Sequence, residues 1–289
     1  MSTPERADLT AAEALDAPQT RIPSPRKLVS KVPEITAVFW VIKILTTAMG
    51  ETTSDFMNQR IGPVIAVPIM LIALAAALKI QFRKERYVAW SYWLVVVMVA
   101  VFGTTAADAL HVVLGIPYLY STIFYAVVLT AIFAAWYRSE KTLSIHSIDS
   151  RRREQFYWAT VLATFALGTA AGDLTATPLH LGFLDSGLMF LGVFAVPALA
   201  YWLFGLNEIF AFWFAYIATR PLGASFSDWL AVPRNRDGLN LGPGTVSLIL
   251  TVLIVAFVGY LSSRRGVESE AEHAHGHPHA VLEPVLDEL

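Results

Sequence analysis

Apolar runs long enough to cross a bilayer, about 17–25 residues each, follow one another from residue 37 to residue 262. Four of them hold at most one charge: GPVIAVPIMLIALAAALKIQF (62–82), YLYSTIFYAVVLTAIFAAWY (118–137), SGLMFLGVFAVPALAYWLF (186–204) and GPGTVSLILTVLIVAFVGYLS (242–262). Between them lie four runs of another kind, which open on an aromatic pair and close on an acid. The first is FWVIKILTTAM, followed at once by GETTSDF (Gly50 to Phe56). The pattern predicts eight helices, because backbone in lipid is satisfied only by helices or closed barrels and the ten-residue alternation of a barrel is absent.

The acid-ending runs are copies of one unit. The pairs Phe39-Trp40, Tyr92-Trp93, Tyr157-Trp158 and Phe212-Trp213 are each followed, 10 residues after the Trp, by Gly50, Gly103, Gly168 and Gly223. Five residues beyond each glycine stand Asp55, Asp108, Asp173 and Asp228, in GETTSDF, GTTAADAL, GTAAGDL and GASFSDW. Ungapped spacing in four copies marks an internal repeat, with units at 31–86, 87–141, 152–207 and 208–263. The expected fold is an all-α integral membrane protein: eight transmembrane helices as four helical hairpins in parallel repeat, arranged pseudo-fourfold or two-plus-two. Most of the 21 basic residues fall at 6–31, 79–86, 138–153 and 264–265, which places both termini in the cytoplasm by the positive-inside rule.

Composition agrees with a membrane chain, 55% hydrophobic and 15% charged. With no cysteine, disulfides, thiolate metal sites and Cys nucleophiles are excluded. Residues 1–30 are polar and lack the apolar core of a signal peptide, so they read as a disordered cytoplasmic tail ahead of the 31–263 helical domain. Residues 264–289 form a second, His-rich acidic tail.

Positions 10 and 14 after each Trp are Gly50/Ser54, Gly103/Ala107, Gly168/Gly172 and Gly223/Ser227. Small residues four apart allow helices to approach closely, so the four glycines are expected to be packing or hinge positions. The aspartates call for another explanation, since an acid at the centre of a membrane helix costs about 2.5–3.5 kcal/mol even on lenient scales. Four residues before them, on the same face, come Glu51, Thr104, Thr169 and Ala224. Either each Asp caps the segment that follows it, or fourfold packing turns all of them toward one axis.

Glu51 and the four aspartates outnumber Lys43 and Arg220, the two basic residues inside helices and their candidate counter-ions. The excess negative charge requires protons or a bound cation. Carboxylates and threonine hydroxyls are hard oxygen ligands, suited to Mg²⁺, Ca²⁺ or Mn²⁺. His111, three residues past Asp108, joins the candidate metal ligands, and with His180 it tilts the choice toward Mn²⁺ or a later transition metal. Each imidazole has an ordinary hydrogen-bonded reading as well. In the tail, His273, His275, His277 and His279 alternate through EAEHAHGHPHA, an accessory chelating tract or a solvated tail.

The segments KVPEIT, FWVIK and GETTSDF at 31–56, with the later GTTAAD and GTAAGD copies, resemble a bacterial family of uncharacterised multi-pass, membrane-anchored proteins. That resemblance implies a bacterial inner-membrane location and no particular activity. There is also an architectural likeness to cation exporters built from repeated acid-plus-Gly-Asp transmembrane motifs, although GETTSD departs from their E-x-G-D-[KR]-[ST] signature. The leading expectation is a secondary transporter, an exporter of a divalent metal cation with Mn²⁺ favoured, coupled to protons. No ATP-binding GxxxxGK[ST] loop is present. The alternatives are a passive cation channel, a structural or sensing membrane protein, and a haem protein with His111 and His180 as axial ligands. No Ser-His-Asp or HExxH pattern argues for an enzyme, and no resident cofactor or nucleic-acid partner is implied. Lipid, the metal cation and protons are the expected partners, acting on one chain or a homodimer.

Overall fold

A computed structural model describes residues 30–176 and 178–275, with side chains except those of Val112 and residues 264–275. The expectations for residues 1–29 lie outside the described residues. The chain folds into eight long helices: α1 (Ala37–Ile61), α2 (Pro63–Phe82), α3 (Ala89–Val112), α4 (Tyr118–Glu140), α5 (Arg151–Ala176), α6 (Gly182–Phe204), α7 (Glu208–Ala231) and α8 (Pro243–His275). Two short 3₁₀ turns lie at Ile145–Ser147 and Arg234–Arg236. Thr36 caps α1 by accepting from the Phe39 amide, and Asn207 caps α7 by accepting from Phe210, the side-chain type and position that N-caps favour.

Helices α1, α3, α5 and α7 form a closed inner ring, each packed on the next and α7 packed back on α1. The other four lie outside it. In α2, α4, α6 and α8 only 17% of the most apolar window is buried, against 56% in α3 and 61% in α5. Leu, Ile, Val and Phe side chains therefore cover the outer face. Six helices (α2, α3, α4, α5, α6 and α8) are long and apolar enough to cross a membrane. The expectation of eight such helices meets its exception in α1 and α7, whose Lys43, Glu51, Asp55, Arg220 and Asp228 lower their hydropathy and face inward.

The outer helices do not pack mainly on the inner helix of their own repeat. Instead α2 lies on α3, α4 on α5, α6 on α7, and α8 closes the circle on α1. The closely packed hairpins are thus shifted by one helix from those the repeat units suggest. At the first junction the reason is plain. A single residue, Gly62 at φ 76°, links α1 to α2, whereas side-by-side antiparallel helices usually need a 2–5-residue loop. Each repeat therefore lends its outer helix to its neighbour.

Contacts between repeats run in one direction around the ring. At its N-terminal end the first aromatic of each pair meets the Trp of the following repeat: Phe39 with Trp93 (5.7 Å between ring centroids), Tyr92 with Trp158 (5.4 Å), Tyr157 with Trp213 (6.1 Å) and Phe212 with Trp40 (5.8 Å). Tyr92 and Tyr157 share a hydroxyl hydrogen bond. This aromatic end is fastened by a buried Lys31–Glu154 ion pair at 2.8 Å, with Gln81 donating to the other Glu154 oxygen at 3.2 Å.

Midway along the helices the four glycines repeat the cycle. A Cβ on Gly50 would lie 2.5 Å from Ala100 Cβ and 2.9 Å from its carbonyl carbon, and one on Gly103 would lie 2.9 Å from Phe165 Cβ. On Gly168 it would strike Arg220, and on Gly223 it would strike Thr47. Every contact pairs a glycine with the residue seven past the Trp of the next repeat. At these four positions only hydrogen fits, and the backbones close to that distance.

Candidate functional site

The four inner helices run parallel, so their C-terminal ends meet at one end of the ring. Asp55, Asp108, Asp173 and Asp228 sit within the last two turns of α1, α3, α5 and α7. None of them is the N-cap of a following helix; Gly62, Pro117 and Leu181 occupy those places for α2, α4 and α6. An acid in the last helical turns lies against the negative end of the macrodipole, at a cost of about 0.3–1 kcal/mol each. Capping does not account for the aspartates, and they are placed where helix electrostatics disfavours them.

They line a cavity of about 620 Å³ together with Glu51, with Tyr118 and Phe183 from the first turns of α4 and α6 and Pro233 and Arg236 from the link after α7 also lining it. Glu51 belongs to two sets of close carboxylates. One oxygen each from Glu51, Asp173 and Asp228 lie within 4.8 Å of one another, and so do those of Glu51, Asp55 and Asp108. Asp108 Oδ2 accepts from Ser54 Oγ (3.2 Å) and Asn58 Nδ2 (3.4 Å). Asp228, 7% exposed, has its Oδ1 buried with no hydrogen-bond partner among the described residues. A buried, unpartnered carboxylate oxygen is costly unless something donates to it or coordinates it.

Arg220 closes the floor. Its Nη2 donates to Glu51 Oε2, to Thr104 Oγ1 and, at 2.8 Å, to Thr169 Oγ1. These three residues occupy the same repeat position, 11 past the Trp, on α1, α3 and α5, and the fourth member of that tier is Ala224 on Arg220's own helix. One guanidinium thus spans the axis and engages every polar side chain of the tier. Lys43, the other expected counter-ion, pairs with no carboxylate among the described residues. Its Nζ is buried with no hydrogen-bond partner among the described residues and lies over the rings of Phe165 (4.2 Å) and Tyr216 (4.3 Å). Such contacts supply about 2 kcal/mol when desolvated, less than the several kcal/mol that burying an ammonium costs.

His111 is not brought to the carboxylates. Helix α3 ends at Val112, and the imidazole Nδ1 donates to the Ile116 carbonyl at 2.9 Å while its ring stacks on Tyr118 at 3.9 Å. His180 is exposed in the link between α5 and α6. Neither joins a group of close ligand atoms among the described residues. The candidate metal set is therefore carboxylate only, which removes the imidazole argument for later transition metals. His273 and His275 lie on the helical end of α8, whose side chains there are not described, and His277 and His279 lie outside the described residues.

Sequence reasoning did not pick out Asn58, Tyr118 or Arg236. Asn58 had a signal, since it lies four residues after Ser54 on the face that meets Asp108. Tyr118, at the start of α4, and Arg236, in the 3₁₀ turn after α7, reach the rim from outside the repeated motif, which no periodicity reports.

One family model, Repeat of Unknown Function (DUF347), matches the chain four times, over residues 38–87, 91–142, 156–206 and 211–266. Each match opens at or just ahead of an aromatic pair of the inner ring. No curated protein and no solved structure matches the chain.

Proposed function

The chain belongs to the family of the Repeat of Unknown Function (DUF347), and we propose that four copies of that repeat here build a secondary transporter for a divalent metal cation. The observation that carries this reading is the pair of carboxylate triads that share Glu51 at the C-terminal ends of four converging helices. Five carboxylates and four helix ends of negative polarity face one cavity, and Arg220 with Arg236 at the rim offsets only part of that charge. A cation restores the balance, and protons replace it when it leaves, which couples the two flows. With carboxylate oxygens the close ligand atoms grouped there among the described residues, hard ions (Mn²⁺, Mg²⁺, Ca²⁺) are preferred over Zn²⁺ or Ni²⁺.

The membrane setting is part of the proposal. The apolar outer faces of α2, α4, α6 and α8 meet lipid, and the inner ring carries the charges away from it, as intramembrane ionisable groups require. The basic loops at the aromatic end support, by the positive-inside rule, a cytoplasmic side for that end and an acid cavity that opens outward. A carrier is favoured over a passive channel because Arg220, Lys43 and the aromatic ring fill the axis beyond Glu51.

The test is flux in proteoliposomes over Mn²⁺, Mg²⁺, Ca²⁺, Zn²⁺, Co²⁺ and Ni²⁺, with wild type beside Asp55→Asn/Asp108→Asn. Saturable, proton-coupled flux of a hard cation that the double variant loses is the expected result. Absence of flux for every ion, in folded protein, would refute the reading.

A further inference from the structure

Glu51 is claimed three times over: by the triad with Asp173 and Asp228, by the triad with Asp55 and Asp108, and by the Arg220 guanidinium. We propose that Arg220 is a tethered cation that competes with the transported ion for Glu51, so that the ion reaches its full ligand set only when the guanidinium lets go. This rests on the cation-binding reading above and adds the residue that sets affinity and controls passage along the axis.

Three features of Arg220 support an exchangeable partner rather than a fixed strut. First, the contact is one-sided. Nη2 takes all three side-chain acceptors, Nη1 reaches only the Thr47 carbonyl at 3.5 Å, and Nε is buried with no hydrogen-bond partner among the described residues. The two-pronged fork that makes Arg–carboxylate pairs strong is not formed. Second, the next residue is Pro221, inside α7. Proline has no N–H for the carbonyl four residues back, so the helix is short of one hydrogen bond beside the arginine. Third, the repeat position that holds Arg220 is Thr47, Ala100 and Phe165 in the other copies. A guanidinium is not needed to pack against the preceding glycine, since the small Ala100 serves at Gly50.

Arg220 and Glu51 are 0% and 4% exposed. Removing the arginine leaves a buried carboxylate without its cation, and at such a site an added cation binds more tightly. Removing the glutamate removes what the two cations compete for. The prediction is therefore a linked pair of effects.

The experiment is equilibrium Mn²⁺ binding by calorimetry on purified full-length protein: wild type, Arg220→Gln, Arg220→Lys, Glu51→Gln and the Glu51→Gln/Arg220→Gln double variant, each checked for folding by thermal melting. Arg220→Gln is expected to tighten Mn²⁺ binding about tenfold, Arg220→Lys to tighten it less, and the double variant to bind no better than Glu51→Gln alone. If Arg220→Gln does not fold, the charge-conserving Arg220→Lys decides by the same direction of change. Wild-type binding with unchanged or weaker affinity in the arginine variants would overturn the competition while leaving the cation site standing. A wild-type protein that binds no Mn²⁺, Mg²⁺ or Ca²⁺ would bring down both.

Discussion

The two ends of the inner ring are built from the same four helices and the same repeated sequence, yet they follow opposite rules. At the aromatic end the repeats stay equivalent: four pairs of rings touch in a closed cycle, and the glycine tier continues it. Toward the acid end equivalence survives in the aspartates, but one copy alone has Glu51 and one alone has Arg220. Packing is a demand that each interface makes separately, so it preserves symmetry. On the proposed cation-binding reading, a single ion on an axis is met by one best set of ligands, so the residues that would handle it are free to diverge.

The comparison is broken most severely by neutralising the acids. Replacing Asp55, Asp108, Asp173 and Asp228 together by Asn should abolish cation flux in proteoliposomes while the purified protein still folds, because isosteric amides retain the volume. Retained flux would show that the acid end has no part in transport.

Cutting the aromatic cycle should act on stability instead. Trp93→Ala removes a ring that is 1% exposed and touches both Phe39 and Tyr92, at a cost of about 3–5 kcal/mol, read as a large fall in the thermal midpoint in detergent. Gly50→Ala forces a methyl against Ala100 and its backbone, at about 1–3 kcal/mol. Gly192→Ala, inside α6 and with nothing within 4 Å of its Cβ, should stabilise by about 0.4–1 kcal/mol. Equal effects of the two glycine variants would contradict the close approach in the ring.

The mildest effect separates function from folding within one residue. Lys43→Met replaces an unpartnered buried ammonium by an apolar chain of similar length, a change that is commonly neutral or stabilising. The melting temperature should hold or rise. A marked fall would mean that the two ring contacts of Lys43 hold the axis together.

Much of this was legible in the sequence, for reasons that differ by feature. The Trp-to-Gly spacing of 10 and Gly-to-Asp spacing of 5 could be read directly because a helix face has fixed periodicity, which puts the four aspartates at equivalent positions, while their convergence was one of two open readings beside capping. The shifted hairpins could not be read, since which inner helix an outer helix lies on depends on link geometry such as the one-residue turn at Gly62. His111 looked like a ligand because it lies three residues after Asp108, but the chain leaves the helix one residue later and the ring is taken up by the Ile116 carbonyl. Arg220 stood out as a charge, while its reach to Glu51, Thr104 and Thr169 on three other helices was beyond any single-helix pattern.

The most direct test of the central claim, that a hard cation is held at the acid end through Glu51, is Mn²⁺ binding followed by electron paramagnetic resonance. Wild type, Glu51→Gln and Tyr157→Phe should be titrated side by side, the last being a change confined to the aromatic end. The account predicts that wild type and Tyr157→Phe deplete the free Mn²⁺ signal alike and that Glu51→Gln does not. Equal depletion by Glu51→Gln, or none by folded wild type, would contradict it.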